Sequence, residues 1–156
     1  MPRLRDELRQ NKPFQIPEEE VFVALQRTAD QLMRPMESLL KKYGLSPTQY
    51  NALRILRGAG ETGLACNEIA ERMITRDPDI TRLMARLQRM GLIKRDRSHA
   101  DRRMVITRIT AKGRELTAQL DRPVRETGRR LIGKLGPKKL RSLLRLLDEV
   151  RGPETV

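Results

Sequence analysis

The sequence predicts a mostly α-helical chain with one small β-hairpin. Three observations carry this: apolar residues recur at spacings of three and four towards both ends, a basic helical pattern opened by Pro and closed by Gly sits in the middle, and a β-branched stretch follows it directly. A chain of 156 residues suits one compact domain, since it can bury roughly 70% of the surface its unfolded form exposes. No run approaches the ~18 apolar residues of a membrane span, and no charged-apolar-small secretory pattern opens the chain, so a cytoplasmic protein is expected. The single cysteine excludes an intrachain disulfide framework and suits a reducing compartment.

The elements follow in order. Residues 1–16 are basic and poor in apolar side chains and read as a mobile arm, with Phe14 and Ile16 available to dock on a partner subunit. Pro17 opens a helix whose first turn, Glu18-Glu19-Glu20, suits the positive end of the macrodipole. Val21, Leu25, Thr28, Leu32, Met36 and Leu39 continue it as a stripe, and Gly44 ends it, giving a helical region over 17–43. Pro35 is expected to bend this helix.

The central helix is expected to be capped by Asp77, with Pro78 at its first position, where no N–H is required. Ile80, Leu83, Leu87 and Met90 then share one face, and Gly91 supplies a left-handed stop. Arg82, Arg86 and Arg89 share another face, with Thr81 beside them. Such a stripe is either a solvated helix surface or a surface that meets an anion.

Leu92-Ile93-Lys94-Arg95 leads out as a short strand and Met104 to Ile109 returns, so the pair reads as a hairpin with Arg97, Asp101, Arg102 and Arg103 around its tip. Those arginines suit a minor groove narrowed by A·T pairs. Asp101 either orients a neighbouring arginine or is an ordinary turn former. Beyond the hairpin, a long helix is expected to bend near Gln119 because of Pro123. Gly136-Pro137 starts a last helix with Leu140, Leu143, Leu144, Leu147 and Val150 on one side.

Charge separates the two readings of the arginine stripe. Residues 72–114 hold eleven Arg and two Lys against four Asp, a net of +9 out of +13 for the whole chain. Arginine outnumbers lysine 25 to 8, and arginine forks onto phosphate or guanine where lysine acts as a point charge. A pI near 10.9 favours nucleic acid over acidic small molecules as the partner. Enzyme chemistry finds little footing, because one His and one Cys, far apart in the expected fold, make a dyad or multi-His metal site improbable. No glycine-rich phosphate loop or paired zinc cysteines appear, and no cofactor is called for. Cys66 at a helix start reads either as a lowered-pKa thiol or as a small apolar residue. Two Phe, two Tyr and no Trp leave few platforms for base stacking.

Five motifs in register then resemble one family. Cys66-Asn-Glu-Ile-Ala-Glu-Arg-Met73, Asp79-Ile80-Thr81-Arg82-Leu83-Met-Ala-Arg-Leu87, Gly91-Leu92-Ile93-Lys-Arg95, Asp101-Arg102-Arg103 and Ile109-Thr110-Ala-Lys-Gly113 look like the consecutive motifs of MarR-family winged helix-turn-helix regulators. Ser46 to Leu53 resembles the helix that precedes the DNA-binding unit there. The resemblance implies a winged helix-turn-helix over 46–110, dimerisation helices over 17–43 and 111–150, and a homodimeric regulator, often a repressor released by a small phenolic or lipophilic effector and less often by oxidation. It places Thr81, Arg82 and Arg86 on bases or phosphates and makes Asp101 with Arg103 the wing motif. The effector pocket is expected where the first two helices and the helix after the wing meet. Asp77 and Asp79 depart from the family's usual Ser or Thr and would oppose phosphate unless they cap the helix or accept from cytosine.

The expected double-stranded DNA contacts are therefore Arg76, Thr81, Arg82, Arg86, Arg89, Arg95, Arg97, Asp101, Arg102 and Arg103. The expected dimer contacts are Phe14, Ile16, Val21, Leu25, Leu140, Leu143, Leu144 and Leu147. The alternative is a nucleoid-type DNA binder with little sequence preference and no ligand response.

Overall fold

Leu83, Met84 and Leu87 are buried along one side of a ten-residue helix, and the core is assembled against that side. The computed structural model describes residues 3–76, 79–98, 101 and 103–152. Its helices are α1 (Arg3–Leu8), α2 (Pro17–Lys41), α3 (Pro47–Ala59), α4 (Cys66–Arg72), α5 (Ile80–Arg89), α6 (Ala111–Ile132) and α7 (Gly136–Arg151). Three short strands, β1 (Leu64–Ala65), β2 (Ile93–Arg97) and β3 (Val105–Ile109), form an antiparallel sheet in the order β1-β3-β2. Short 3₁₀ turns follow α3 at Gly60–Thr62 and α6 at Gly133–Leu135.

Each element round the site starts for a local reason. Ser46 and Gln49 form a reciprocal cap at the head of α3: the Gln49 amide donates to Ser46 Oγ at 3.2 Å and the Ser46 amide to Gln49 Oε1 at 2.9 Å. At α4 the Ala65 amide donates to the Glu68 carboxylate at 2.8 Å. Thr110 caps α6 by accepting from the Gly113 amide at 3.1 Å, and its hydroxyl donates to the Gly91 carbonyl at 2.7 Å. Apolar residues at three- and four-residue spacings turn Leu53 and Leu56, Ile69, the α5 triad and Leu120 inward, where Leu40, Leu92, Ile93 and Ile109 meet them.

Geometry demands glycine at two positions beside the end of α5. Gly91 has φ +73°, the left-handed conformation that turns the chain from α5 into β2. Gly113 lets α6 lie directly on the strand base, since a Cβ there would overlap the Leu92 carbonyl and stand 2.7 Å from Ile109 Cγ1.

The mostly helical class with a small wing holds, with four local corrections. The sheet has a third strand, β1, whose two residues are too short to show alternation. The first strand runs to Arg97 rather than stopping at Arg95. The cap of α5 is Asp79, whose side chain accepts from the Arg82 amide at 3.0 Å, and the helix begins at Ile80; Asp77 and Pro78 lie outside the described residues. The basic arm contains a helix, α1, which Gln31 ties to α2 by donating to Glu7 at 3.2 Å. Apart from these, α2 and α6 continue through Pro35 and Pro123, each proline removing one amide donor within its helix.

Candidate nucleic-acid interface

The outward side of α5 is made possible by its inward side. With Leu83, Met84 and Leu87 locked in the core, the 3.6-residue repeat sends Arg82, Arg86 and Arg89 into solvent as one stripe, with Thr81 and Gln88 beside it. No ion pair with a described residue holds any of the three guanidinium groups. At the other end of α5, Lys112 Nζ donates to the Met90 carbonyl at 2.9 Å, placing a cation on the negative end of the helix dipole.

The head of the same helix borders a hollow of about 310 Å³ lined by Ser46, Thr48, Gln49, Asp79, Arg82, Leu83 and Arg86. Two hydroxyls from the start of α3 thus face two arginines from α5, a mixture of donors that suits phosphate oxygens. Ser46 and Thr48 were not among the expected contacts. In the sequence they stood only in the stretch resembling the preceding helix, and the fold alone brings them to the same hollow as Arg82 and Arg86. Asp79, one of the two carboxylates expected to oppose phosphate, is engaged by the Arg82 amide.

The wing is organised by Asp101. Its carboxylate accepts from the Arg103 amide at 2.9 Å and its carbonyl from the Met104 amide at 3.0 Å, so it builds the turn and sets the backbone of Arg103. Of the two readings of Asp101, this is the turn former. Arg97 is exposed at the end of β2, opposite Val105, and Arg103 and Arg76 are exposed. Arg102 lies outside the described residues. Arg95 differs from the rest: it is half-buried opposite Thr107, and its Nε is enclosed without a hydrogen-bond partner. Arg108, by contrast, is a bracket, donating to the Glu61 carbonyl at 2.7 Å and standing 3.9 Å from Asp96.

Two further features lie away from the stripe. Between α3 and α6 a cavity of about 620 Å³ is lined by Arg54, Arg57, Gly58, Asp121, Val124 and Arg125. Hydrogen bonds from Arg57 hold the Asp121 carboxyl below the ordinary carboxylate range, with the charges of Arg57, Arg54 and Arg125 adding to them against a desolvation cost. Of the expected dimer contacts, Ile16, Val21, Leu25, Leu143 and Leu144 are exposed, and Phe14, Leu140 and Leu147 are half-buried. No described residue of α7 is buried. Phe22 and Val150 extend the exposed apolar surface, at 65% and 67% exposure. Cys66 is half-buried at the first position of α4, packed against the core. No helix among the described residues is long and apolar enough to cross a membrane.

A basic helix held at the surface beside a turn-built hairpin defines a winged helix-turn-helix. The transcriptional regulator SarA/Rot family matches residues 34–120. The chain is 37% identical to a MarR transcription factor from Planctomyces limnophilus of known crystal structure, over 86% of this chain and 98% of that one, with a TM-score of 0.67. It is 24% identical over 127 residues to the homoprotocatechuate degradative operon repressor of Escherichia coli, covering 81% of this chain and 84% of the repressor. It also shares the fold of Bordetella bronchiseptica BpsR, whose DNA binding is regulated by 6-hydroxynicotinic acid, with a TM-score of 0.80 at 20% identity over 92% of this chain and 100% of that one. The chain belongs to the MarR family, of which SarA/Rot is a related group, and is a DNA-binding transcription regulator rather than an enzyme.

Proposed function

We propose that this regulator is a homodimeric, ligand-responsive repressor that reads a pseudo-palindromic operator through Thr81, Arg82, Arg86 and Arg89 in the major groove and through Arg97, Arg102 and Arg103 at the wing, with Arg76 on phosphate. The observation that carries the reading is the α5 stripe, three exposed arginines without ion-pair partners among the described residues, on a helix whose opposite face is core. Arginine in a groove forks onto guanine O6 and N7, and each such pair discriminates by about 1–3 kcal/mol. Arg95 supports the wing from within rather than touching DNA. The exposed apolar residues of α2 and α7 take the second copy, and a two-fold pair of α5 helices then enters successive major grooves about 34 Å apart. Repression follows the E. coli relative, which is named as a repressor.

The effector site is the cavity between α3 and α6. Three guanidinium groups and one carboxylate line it, which suits an acidic phenolic molecule better than a purely lipophilic one. The deciding experiment compares operator and random duplex across a salt series. Log affinity should fall with log salt at a slope of about −5 to −9, at about −0.9 per neutralised phosphate. Sequence reading leaves a salt-resistant gap between the two duplexes of at least about 4 kcal/mol. A gap that closes as salt rises leaves the nucleoid-type binder in its place.

A further inference from the structure

The positive charge of this chain is not confined to its DNA reader. Residues 127–147 hold seven Lys or Arg and no Asp or Glu. Arg145 pairs with Glu149 at 3.4 Å, but Arg129, Arg130, Lys134, Lys138, Lys139 and Arg141 are all exposed and make no ion pair with a described residue. The nearest carboxylate in sequence, Glu126, is bonded to Arg122 at 2.7 Å, and Arg129 acts on it only through its charge. Lys138 and Lys139 stand in the opening turns of α7, where the helix dipole repels cations and no acidic residue offsets them. Six exposed cations within thirteen residues, none ion-paired to a described residue, raise the energy of the free protein, and an anion laid across them lowers it.

This surface lies at the far end of α6 from the reader. Thr110, the cap of α6, is bonded to the Gly91 carbonyl just past α5. Arg129 stands nineteen positions further along an unbroken helix, about 28 Å at 1.5 Å per residue. That is more than three Debye lengths of about 8 Å at physiological salt, so phosphates bound at the reader do not neutralise it.

We infer that the α6–α7 surface binds a second segment of duplex DNA, so that one protein joins two stretches of DNA. Duplex DNA carries one negative charge per about 1.7 Å of axis, a density that several cations on adjoining helices can meet. A bilayer asks for apolar side chains beside the cations. On α7 the helical repeat sets Lys138, Arg141 and Arg145 opposite the stripe of Leu140, Leu143, Leu144 and Leu147, which the proposed dimer covers, leaving over residues 127–147 two exposed large apolar side chains, Ile132 and Leu146, against six cations. The choice of duplex over bilayer rests on that reading.

The test keeps the two sites apart. Full-length protein is saturated on bead-bound operator, washed, and offered a labelled random duplex at low salt. Wild type captures the second duplex. The Arg129→Gln/Lys134→Gln/Lys138→Gln/Arg141→Gln variant still holds operator, which also reports that it is folded, but loses the capture. If that variant does not hold operator, the four single substitutions replace it, each making the salt slope of second-duplex binding shallower by about 0.9. Absence of capture by wild type, capture that the substitutions leave unchanged, or displacement of the duplex by phosphatidylglycerol vesicles or polyglutamate at equal charge each overturns the inference. Operator retention reads the proposed function separately.

Discussion

Arg57 forks onto both carboxylate oxygens of Asp121, at 2.8 and 2.9 Å, and so ties α3 of the DNA-binding unit to the middle of α6. The two residues lie 64 positions apart, and both are partly open to solvent. The pair borders the α3–α6 cavity, with Arg54 and Arg125 as further cations around it. An anion entering there competes with Asp121 for Arg57, which gives the proposed effector a physical handle on the angle between reader and dimer helices.

Asp121→Asn should lower the melting temperature at neutral pH and weaken the response to acidic phenolic effectors. The carboxyl is held below its ordinary value of 3.8, so its contribution to stability is full well above that value and is lost as pH falls through the lower folded-state value. Melting curves of wild type and variant should therefore converge in strong acid. A difference that persists unchanged to the lowest pH would show that the ion pair is not its source.

Gly113 and Gly128 make a matched pair of substitutions on α6. Gly113→Ala drives a methyl into the Leu92 carbonyl and should cost about 1–3 kcal/mol. Gly128→Ala meets nothing within 4 Å and should gain up to about 1 kcal/mol by restricting the unfolded chain. Denaturant midpoints of the two variants should move in opposite directions, and a Gly113→Ala midpoint that does not fall would refute the close-approach account of Gly113.

The contrast between these glycines marks how far the sequence could be read. The α5 periodicity, the stop at Gly91, the wing and the Ile109 to Gly113 motif were legible because each is a local pattern in the chain. Strand β1 was hidden, since two residues joined to β3 across more than forty positions leave no local trace. The α5 cap was placed two residues early because Asp77 and Asp79 are both good caps, and only the backbone decides between them. Arg95 looked like its neighbours in sequence, but strand alternation puts it on the face of Ile93. Ser46 and Thr48 became interface candidates only because the fold brings them to one hollow with Arg82 and Arg86.

Arg86→Ala and Arg103→Ala should separate base reading from wing contact. Loss of Arg86 should relax preference at one or two base pairs at about 1–3 kcal/mol, whereas loss of Arg103 should chiefly weaken sites flanked by A·T pairs. Affinities over a panel of single-substitution operators measure both. Equal losses on every sequence would remove the assigned roles.

Leu144→Glu tests the dimer, because Leu144 is 60% exposed on a helix with no buried described residue. A side chain open in one chain can take a charge at little cost to that chain, but a carboxylate buried between two copies must be paired or desolvated at a cost of several kcal/mol. Sedimentation should therefore shift from dimer towards monomer while the circular dichroism of the isolated chain stays helical. Operator affinity should fall with it, since a monomer presents one α5 where the pseudo-palindrome needs two. The footprint should shrink towards a single half-site at high protein concentration. A variant that remains dimeric with a full footprint would move the subunit contact away from the α7 stripe, and Val21→Glu on α2 then tests the other end of the chain.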